Sequence, residues 1–285
     1  MLKKCTVLAL RDTETGKIVV PGEFDFISEF KNGFAIIGKN AGYNSCGNIT
    51  KYGFISTEGK VFQAEYNAVA SFSEKGYAYV KKNRTPGILF RDGTELFFEN
   101  VDDLNVYTHA DYVIILTQKQ KSAYAKLEKG NYSLMTDFKY QFAGNFFYGR
   151  AIVSWNGYFG FIDTDGTEII RPTKYTKVEN ISQYLIYAEI YSQSYIMDLK
   201  ENVVFSDVIR FKKFKYDDEI FSVYFKNNTC CLIDECGSIL TKGVYNDIEK
   251  LSCDIAKVKY ENKVGVINET FDEIVKMEEL NKGDS

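Results

Sequence analysis

The sequence is poor in several residue types that enzymes, linkers and membrane proteins use. Its 285 residues include one histidine, one tryptophan and three prolines. So few prolines argue against a proline-rich linker or a disordered tail. No stretch approaches the ~20 apolar residues of a membrane-spanning helix. The apolar run CTVLAL near the start is too short for the core of a signal peptide. We therefore expect neither a membrane partner nor export.

The shortage of histidine also limits catalysis. A Cys–His or Ser–His–Asp mechanism would have to use His109, which lies in NVYTHADYVII without a catalytic motif around it. We interpret it as a loop or strand-edge histidine and expect no catalytic residue, no cofactor and no enzyme activity.

The six cysteines show no metal-binding pair of the CxxC type. Cys230 and Cys231 are adjacent in a strand-like run, so their side chains should point to opposite faces. We expect buried structural thiols, no metal site and a reducing, cytoplasmic location. The cysteines concerned are Cys5, Cys46, Cys230, Cys231, Cys236 and Cys253.

Aromatic residues, in contrast, are abundant. There are 21 tyrosines and 22 phenylalanines, within an apolar content of 45% and a charged content of 26%. Aromatic and β-branched residues favour strands, so the composition predicts an all-β protein. The net charge of −4 gives no general attraction to phosphate backbones, and we expect no nucleic-acid partner.

A short segment recurs along the whole chain. Its clearest copy is GFIDTDG (160–166), and copies or weaker copies begin near residues 10, 53, 87, 124, 160, 196, 231 and 265. Repeats of this length cannot bury an apolar face alone and are stabilised by stacking on their neighbours. The pattern predicts a single repeat domain over 1–285, with seven full units and a partial eighth.

The last position of the segment is glycine in most copies, which predicts a residue with positive φ in a tight hairpin turn. A returning apolar run, an aromatic link and an alternating strand follow in each unit, and alternation is typical of half-buried strands. The positions concerned are Gly16, Gly59, Gly93, Gly130, Gly166, Asn202, Gly237 and Phe271.

One of these glycines, Gly166, is flanked by Asp163, Asp165 and Glu168, a pattern similar to part of a calcium-binding loop. A helix–loop–helix calcium site needs more oxygen ligands over twelve residues. The equivalent positions in other copies include Phe90 and lack a constant ligand set. We interpret the stretch as a structural turn.

The pattern resembles the WG-repeat family, a class of bacterial tandem β-repeats. The copies that carry the resemblance are WNGYFGFIDTDGTEIIRPTKY (155–175) and KYGFISTEGKVFQAEYNAVASFSEKGYAYVKKN (51–83). Tyr52 and Phe159 replace the tryptophan that gives the family its name. The resemblance implies a β-repeat fold and supplies no catalytic site.

Two all-β architectures are compatible with such repeats. Both chain ends supply a first hairpin, which favours tandem β-hairpin repeats in an open curved array, or solenoid, with the last hairpin capping the seventh unit. The alternative is a seven-bladed β-propeller, whose chain ends usually complete one shared blade.

Three segments are candidates for binding. The first, FKYQFAGNFFYGR (138–150), has the composition of an interface hot spot, although core aromatics would look the same. The second, FKKFKY (211–216), alternates basic and aromatic residues, and a solvated strand is the alternative. The third is the insertion GKNAGYNSCGNIT (38–50), which is either a binding loop or a neutral addition. The candidate residues are Tyr43, Phe146, Phe147, Tyr148, Arg150, Lys212, Lys213 and Lys215.

Two functions remain open at this point. The first is a non-enzymatic scaffold or binding module for another protein, of adaptor or immunity type, because repeat arrays present long surfaces. The second is a glycan- or cell-wall-binding protein that stacks sugars on aromatic rings. The sequence leaves the partner, the binding face and the oligomeric state open.

Overall fold

The structure is a computed structural model, and it describes residues 8–11, 18–44, 47–106, 109–128, 130–215, 219–252 and 255–279. Within these ranges the chain forms strands, turns and bends and no helix, so the predicted all-β class is confirmed. Accordingly, none of the described residues forms a helix that is long and apolar enough to cross a membrane. The chain divides into two compact units, Met1–Phe146 (unit 1) and Phe147–Ser285 (unit 2).

Unit 1 contains a two-stranded sheet followed by three four-stranded sheets, among the residues described. The boundary between the units falls within the strand that follows them, β15 (Phe142–Phe147). The strands of unit 1 are β1 (Leu8–Arg11), β2 (Ile18–Phe24), β3 (Phe26–Ile27), β4 (Phe34–Asn44), β5 (Gly47–Ser56), β6 (Val61–Tyr66), β7 (Ala68–Val69), β8 (Tyr77–Lys82), β9 (Thr85–Phe90), β10 (Glu95–Phe97), β11 (Asp103–Asn105), β12 (Val113–Gln118), β13 (Lys121–Glu128) and β14 (Asn131–Leu134).

Unit 2 continues in the same way. Its sheets have the orders β15-β16-β17-β18, β19-β20-β21-β22, β23-β24-β25 and β26-β27-β28-β29. The strands after β15 are β16 (Arg150–Trp155), β17 (Tyr158–Asp163), β18 (Glu168–Tyr175), β19 (Lys177–Asn180), β20 (Leu185–Ile190), β21 (Gln193–Asp198), β22 (Val203–Ser206), β23 (Val208–Lys215), β24 (Ile220–Phe225), β25 (Cys230–Ile233), β26 (Asp247–Lys250), β27 (Ala256–Tyr260), β28 (Lys263–Ile267) and β29 (Glu273–Glu279).

The boundaries of the sheets do not coincide with the boundaries of the sequence repeat, because each sheet combines strands from two consecutive copies. The aromatic link and the alternating strand of one copy form the first two strands of a sheet, and the next copy of the segment supplies the last two. Each sheet therefore ends after the returning run, and in several cases a single residue, such as Asn67 or Thr176, connects it to the next sheet. The predicted strands are correct, but the unit that folds begins at the aromatic link.

The structure confirms the prediction that each end of the chain supplies a hairpin. The first hairpin forms the separate sheet β1-β2, in which Leu10 pairs with Val20. The last hairpin, β28-β29, completes the four-stranded sheet that begins at β26, as expected for a cap on the seventh unit. Each described sheet is small, and none closes into a barrel. The choice between an open array and a propeller stays a prediction, as does the single domain over 1–285.

Neighbouring sheets share their cores, which corrects one expectation. In β20, Leu185 and Tyr187 pack with β23–β25, whereas Ile186 and Ala188 pack with β17 and β18. This strand is buried on both faces, and not half-buried as its apparent alternation indicated, because its sheet shares one core with β17 and β18 and another with β23–β25. The same geometry places Cys230 and Cys231 in different cores, which confirms that their side chains point to opposite faces.

The turn positions adopt the predicted backbone. Gly59, Gly93, Gly130, Gly166 and Gly237 have φ between 74° and 98°, and Phe271 keeps the conformation with φ 60°. The prediction for Asn202 was wrong by one residue, because the positive φ falls on Glu201. In that copy the aspartate that begins the turn is Asp198, which lies one position earlier than a segment beginning at residue 196 would place it. Gly16 lies outside the described residues.

Candidate functional site

The first aspartate of GFIDTDG supports a turn. The Asp163 carboxylate oxygen Oδ1 accepts hydrogen bonds from the backbone N–H groups of Asp165 and Thr167, both at 2.9 Å. Asp198, Asp234 and Asn268 accept the same two bonds in their own turns. Because the neutral Asn268 replaces aspartate, the position needs a hydrogen-bond acceptor and no charge.

Other candidates for chemistry also have structural positions. His109 lies exposed in a bend, as expected of a loop histidine. Cys230 and Cys231 are buried free thiols, whereas Cys236 is exposed in a turn, which the prediction of burial did not anticipate. Cys5, Cys46 and Cys253 lie outside the described residues. Within the described part of the chain, no group of three or more His, Cys, Asp or Glu side chains could hold a metal ion.

Two of the predicted binding residues lie in the interior. Phe146 is buried, and its ring makes an edge-on contact with Tyr124 at 5.3 Å between centroids. Arg150 is only 1% exposed and begins β16. The side chains of both are therefore unavailable for direct contact with a partner, and their role is structural.

Arg150 occupies a position that is apolar in the other sheets. The second strand of each of the other four-stranded sheets begins with a buried apolar residue, and Leu185 in β20 is the nearest example. The Arg150 guanidinium donates to Asn180 Oδ1 at 2.7 Å and to the backbone oxygens of Ser182, Gln183 and Leu185 at 2.6, 2.8 and 3.2 Å. Burial lowers its pKa to about 10, so it stays charged at neutral pH. It joins the start of β16 to the loop between β19 and β20.

Two of the remaining predicted residues, Tyr148 and Lys213, meet beside this arginine. Tyr148 donates a hydrogen bond from its hydroxyl to Glu219 Oε1 at 2.9 Å, and Lys213 Nζ lies 3.3 Å from the same oxygen. We call these three side chains the Tyr–Glu–Lys cluster. Burial, and then the hydrogen bond to Glu219, raise the pKa of Tyr148. Two segments that are far apart in the sequence are thus brought together by a glutamate that the sequence analysis did not select.

Glu219 has a left-handed backbone, as does Tyr112 at the corresponding position before β12. It precedes the second strand of its sheet, where Gly33 and Gly76 in other sheets have φ 86° and 87°. Glu219 adopts φ 47° at this position, a conformation that costs an ordinary side chain about 1–2 kcal/mol relative to the right-handed region. Left-handed residues of this kind can occur at functional sites, so the contacts of the Glu219 side chain are of interest.

Exposed aromatic rings surround the cluster. Phe147 is 50%, Tyr148 41% and Tyr184 46% exposed. Tyr184 lies in the loop to which Arg150 is bonded, next to Gln183, so the loops before β16 and β20 are neighbours. Lys212 is also exposed, on β23. Lys215 ends β23, and its side chain lies outside the described residues, while the exposed Tyr43 is in unit 1, near the end of β4.

The sequence analysis missed a second set of exposed aromatics at the opposite end of the strands. Trp155 ends β16, Tyr191 follows β20, and Tyr260 ends β27. Tyr191 is 79% exposed and has φ 54°. A signal for them was present, because WN, YS and YE end three of the alternating strands.

Comparison with known families confirms the repeat. Three segments, residues 12–43, 52–84 and 159–183, match the model of the WG containing repeat. Among curated proteins no sequence matches this chain. Repeats of this family in consecutive antiparallel sheets fit a repeat-based binding module.

Solved structures show only distant likeness. A eukaryotic initiation factor is 12% identical, with 97% of this chain and 84% of that chain covered and a TM-score of 0.43. Hsv2p of Kluyveromyces lactis is 12% identical, with coverage of 85% and 92% and a TM-score of 0.38. BamB of Moraxella catarrhalis is 10% identical, with coverage of 96% and 91% and a TM-score of 0.36. Likeness at this level carries no argument about function.

Proposed function

We propose that this WG-repeat protein is a non-enzymatic, cytoplasmic binding module that holds another protein, with the loops around Tyr148, Tyr184 and Glu219 as its contact surface. An adaptor or an immunity-type protein would have this role. The proposal is supported by the repeat architecture, by the exposed aromatic rings beside the cluster, and above all by Glu219.

Glu219 carries the proposal because its side chain joins Tyr148 to Lys213 at a position that other sheets fill with glycine. Glycine fits the same position in Gly33 and Gly76 without strain. The glutamate instead places a carboxylate between Tyr148 and Lys213 at a partly exposed surface. Fixing Tyr148 in this way reduces the conformational freedom that the ring would lose when a partner binds.

The aromatic residues of this surface have the composition of interface hot spots. Phe147, Tyr148 and Tyr184 offer large, rigid rings beside a charged pair. Tyrosine is enriched among residues whose truncation weakens protein complexes, especially where surrounding contacts exclude water. A partner with an apolar patch and a basic rim would match the rings and Glu219.

Site-specific photo-crosslinking in the native cells tests the contact surface. A benzophenone amino acid replaces either Tyr184 or Tyr191, which lie at opposite ends of β20, ~20 Å apart. We expect a discrete protein adduct from position 184 and none of that size from position 191. Tyr148→Ser should abolish the adduct at 184. Equal adducts from both positions, or an adduct that survives Tyr148→Ser, would refute this surface.

Glu219→Gly separates binding from folding. Relief of the left-handed strain offsets the loss of the contacts to Tyr148 and Lys213, because partly exposed pairs contribute only about 0–1 kcal/mol. We expect the urea midpoint to stay nearly unchanged while the adduct at position 184 falls about fivefold or more. A variant that binds as well as the wild type would show that Glu219 has no role in the contact.

Glycan binding is the second candidate, and the hairpin-end aromatics favour it. Trp155, Tyr191 and Tyr260 expose their rings at the same end of their sheets. Flat exposed rings stack on sugar faces. A glycan array with the full chain and with Tyr191→Ala decides this candidate: selective binding that the substitution removes would favour it, and no binding would discard it.

A further inference from the structure

Unit 1 contains a cleft that none of the predicted binding residues lines. It is open, has a volume of about 580 Å³, and lies where the loops before β4, β8 and β12 meet. A cleft of this size suits a small ligand or a short peptide end. It lies in the other unit from the Tyr–Glu–Lys cluster and is independent of the protein-binding surface proposed above.

The walls of the cleft combine an apolar floor with a polar rim. Phe72, Tyr77 and Val106 are buried residues of the floor. Two lysines and one glutamate line the cleft, which leaves one net positive charge with histidine neutral. The rim residues are Lys31, Asn32, Ser71, Ser73, Glu74, Lys75 and His109.

The loops that form the cleft are fixed to one another. Asn32 Nδ2 donates to the backbone oxygen of Phe72 at 2.8 Å, and Arg91 Nη2 donates to the backbone oxygen of Asn32 at 3.2 Å. Phe72 also stacks on Phe34, with 4.0 Å between the ring centroids. These contacts hold the floor and one wall in place before any ligand binds, which lowers the entropic cost of binding.

The ion pair between Lys75 and Asp111 can be replaced by a ligand. Its Nζ lies 2.7 Å from Asp111 Oδ1, and the Asp111 side chain is 82% exposed. An ion pair with so exposed a partner contributes little, because water and salt screen it. A ligand carboxylate that enters the cleft can therefore replace Asp111 beside Lys75 at small cost, while Lys31 adds a second positive charge at the rim.

We propose that this cleft binds the carboxylate of an organic acid whose apolar body lies against the floor at Phe72, Tyr77 and Val106. Once Asp111 is displaced from Lys75, the lining residues carry a single net positive charge, which matches a monoanion better than a phosphate dianion. The apolar floor requires a ligand with a hydrocarbon part. The carboxylate can belong to a free small molecule or to the carboxyl end of a peptide.

Calorimetric titration of the full chain tests the proposal with two pairs of probes. Phenylacetate is compared with phenylacetamide, and the peptide acetyl-Gly-Phe is compared with its carboxyl-terminal amide. We expect at least one acid to bind saturably and about tenfold more tightly than its amide. Binding of phenylacetate alone assigns the site to small molecules, and binding of the peptide acid extends it to chain ends.

Three variants identify the site. Lys75→Met should weaken acid binding about fivefold or more, and Asp111→Asn should strengthen it about two- to fivefold by removing the competing carboxylate. Lys126→Met is the matched control, because Lys126 is exposed on β13 and lines no part of the cleft. The proposal is overturned if no acid saturates, if amides bind as tightly as acids, or if Lys75→Met acts no more strongly than Lys126→Met.

Discussion

Replacement of the buried Arg150 should destabilise unit 2 severely, even though arginine stands where other sheets have an apolar residue. Arg150→Met keeps most of the volume and removes four hydrogen bonds. The oxygens left behind differ in their access to water. Gln183 is exposed and its carbonyl can find water, whereas Ser182 and Leu185 are buried.

The magnitude follows from these partners. A hydrogen bond to a charged group contributes about 1.5–3 kcal/mol, and a buried oxygen left without a donor costs about 1–3 kcal/mol. Removal of the buried charge offsets part of this loss of stability, because the desolvation of the guanidinium no longer opposes folding. We expect a net loss of about 3 kcal/mol, a large part of the ~5–15 kcal/mol by which domains are stable. Arg150→Lys should lose less, because one ammonium group still reaches some of the oxygens.

Urea unfolding followed by tryptophan fluorescence measures the loss of stability in unit 2. The one tryptophan, Trp155, ends the strand that Arg150 begins, so its signal reports on unit 2. With a slope of about 1–3 kcal/mol per molar urea, the midpoint should fall by about 1–3 M. Arg171→Met is the control, since Arg171 is exposed on β18 of the same sheet. A shift no larger than that of Arg171→Met would refute the structural role of Arg150.

Two further predictions concern thiols and alkaline pH. In a chain with Cys5→Ser, Cys46→Ser and Cys253→Ser, a thiol reagent at about pH 8 should titrate Cys236 alone, and all three remaining thiols after unfolding. Burial raises the pKa of Cys230 to about 12 and of Cys231 to about 11, so early reaction of either would contradict the packing. Burial and Asp103 likewise raise the pKa of Tyr79 to about 12. Its unfolded value is about 10, so its contribution to stability is complete below pH 10 and declines as pH rises to about 12. Tyr79→Phe should flatten the loss of unfolding free energy over that interval, and an unchanged slope in alkaline urea titrations would count against it.

Local features of the fold were predictable because they depend on short stretches of chain. The positive φ at Gly59, Gly166 and Gly237 follows from the steric freedom of glycine, which acts within one residue. The adjacent thiols Cys230 and Cys231 point apart because strand side chains alternate. The wrong prediction at Asn202 shows the limit of this reasoning. A hydrogen-bond acceptor such as Asp198 fixes the turn as firmly as the glycine does, and Glu201 then adopts positive φ.

The candidate site was predictable only in part. The segments around Tyr148 and Lys213 were selected by composition, and composition does not distinguish a ring on the surface from one in the core. Phe146 and Phe147 are adjacent and have the same side chain, yet one is buried and the other exposed. Glu219 was not predicted as a site residue, because a lone glutamate in a turn is common in sequences. Its backbone conformation is visible only in the structure.

The sequence by itself determined the strands, the turns and their repetition, because alternation and glycine placement are properties of neighbouring residues. Only the tertiary structure decided which faces those strands bury. It placed Arg150 among the backbone oxygens of a loop more than thirty residues away, and Glu219 against a tyrosine 71 residues distant. Such contacts depend on how one sheet packs on the next, and that packing is a sum over many side chains which no single stretch of sequence contains.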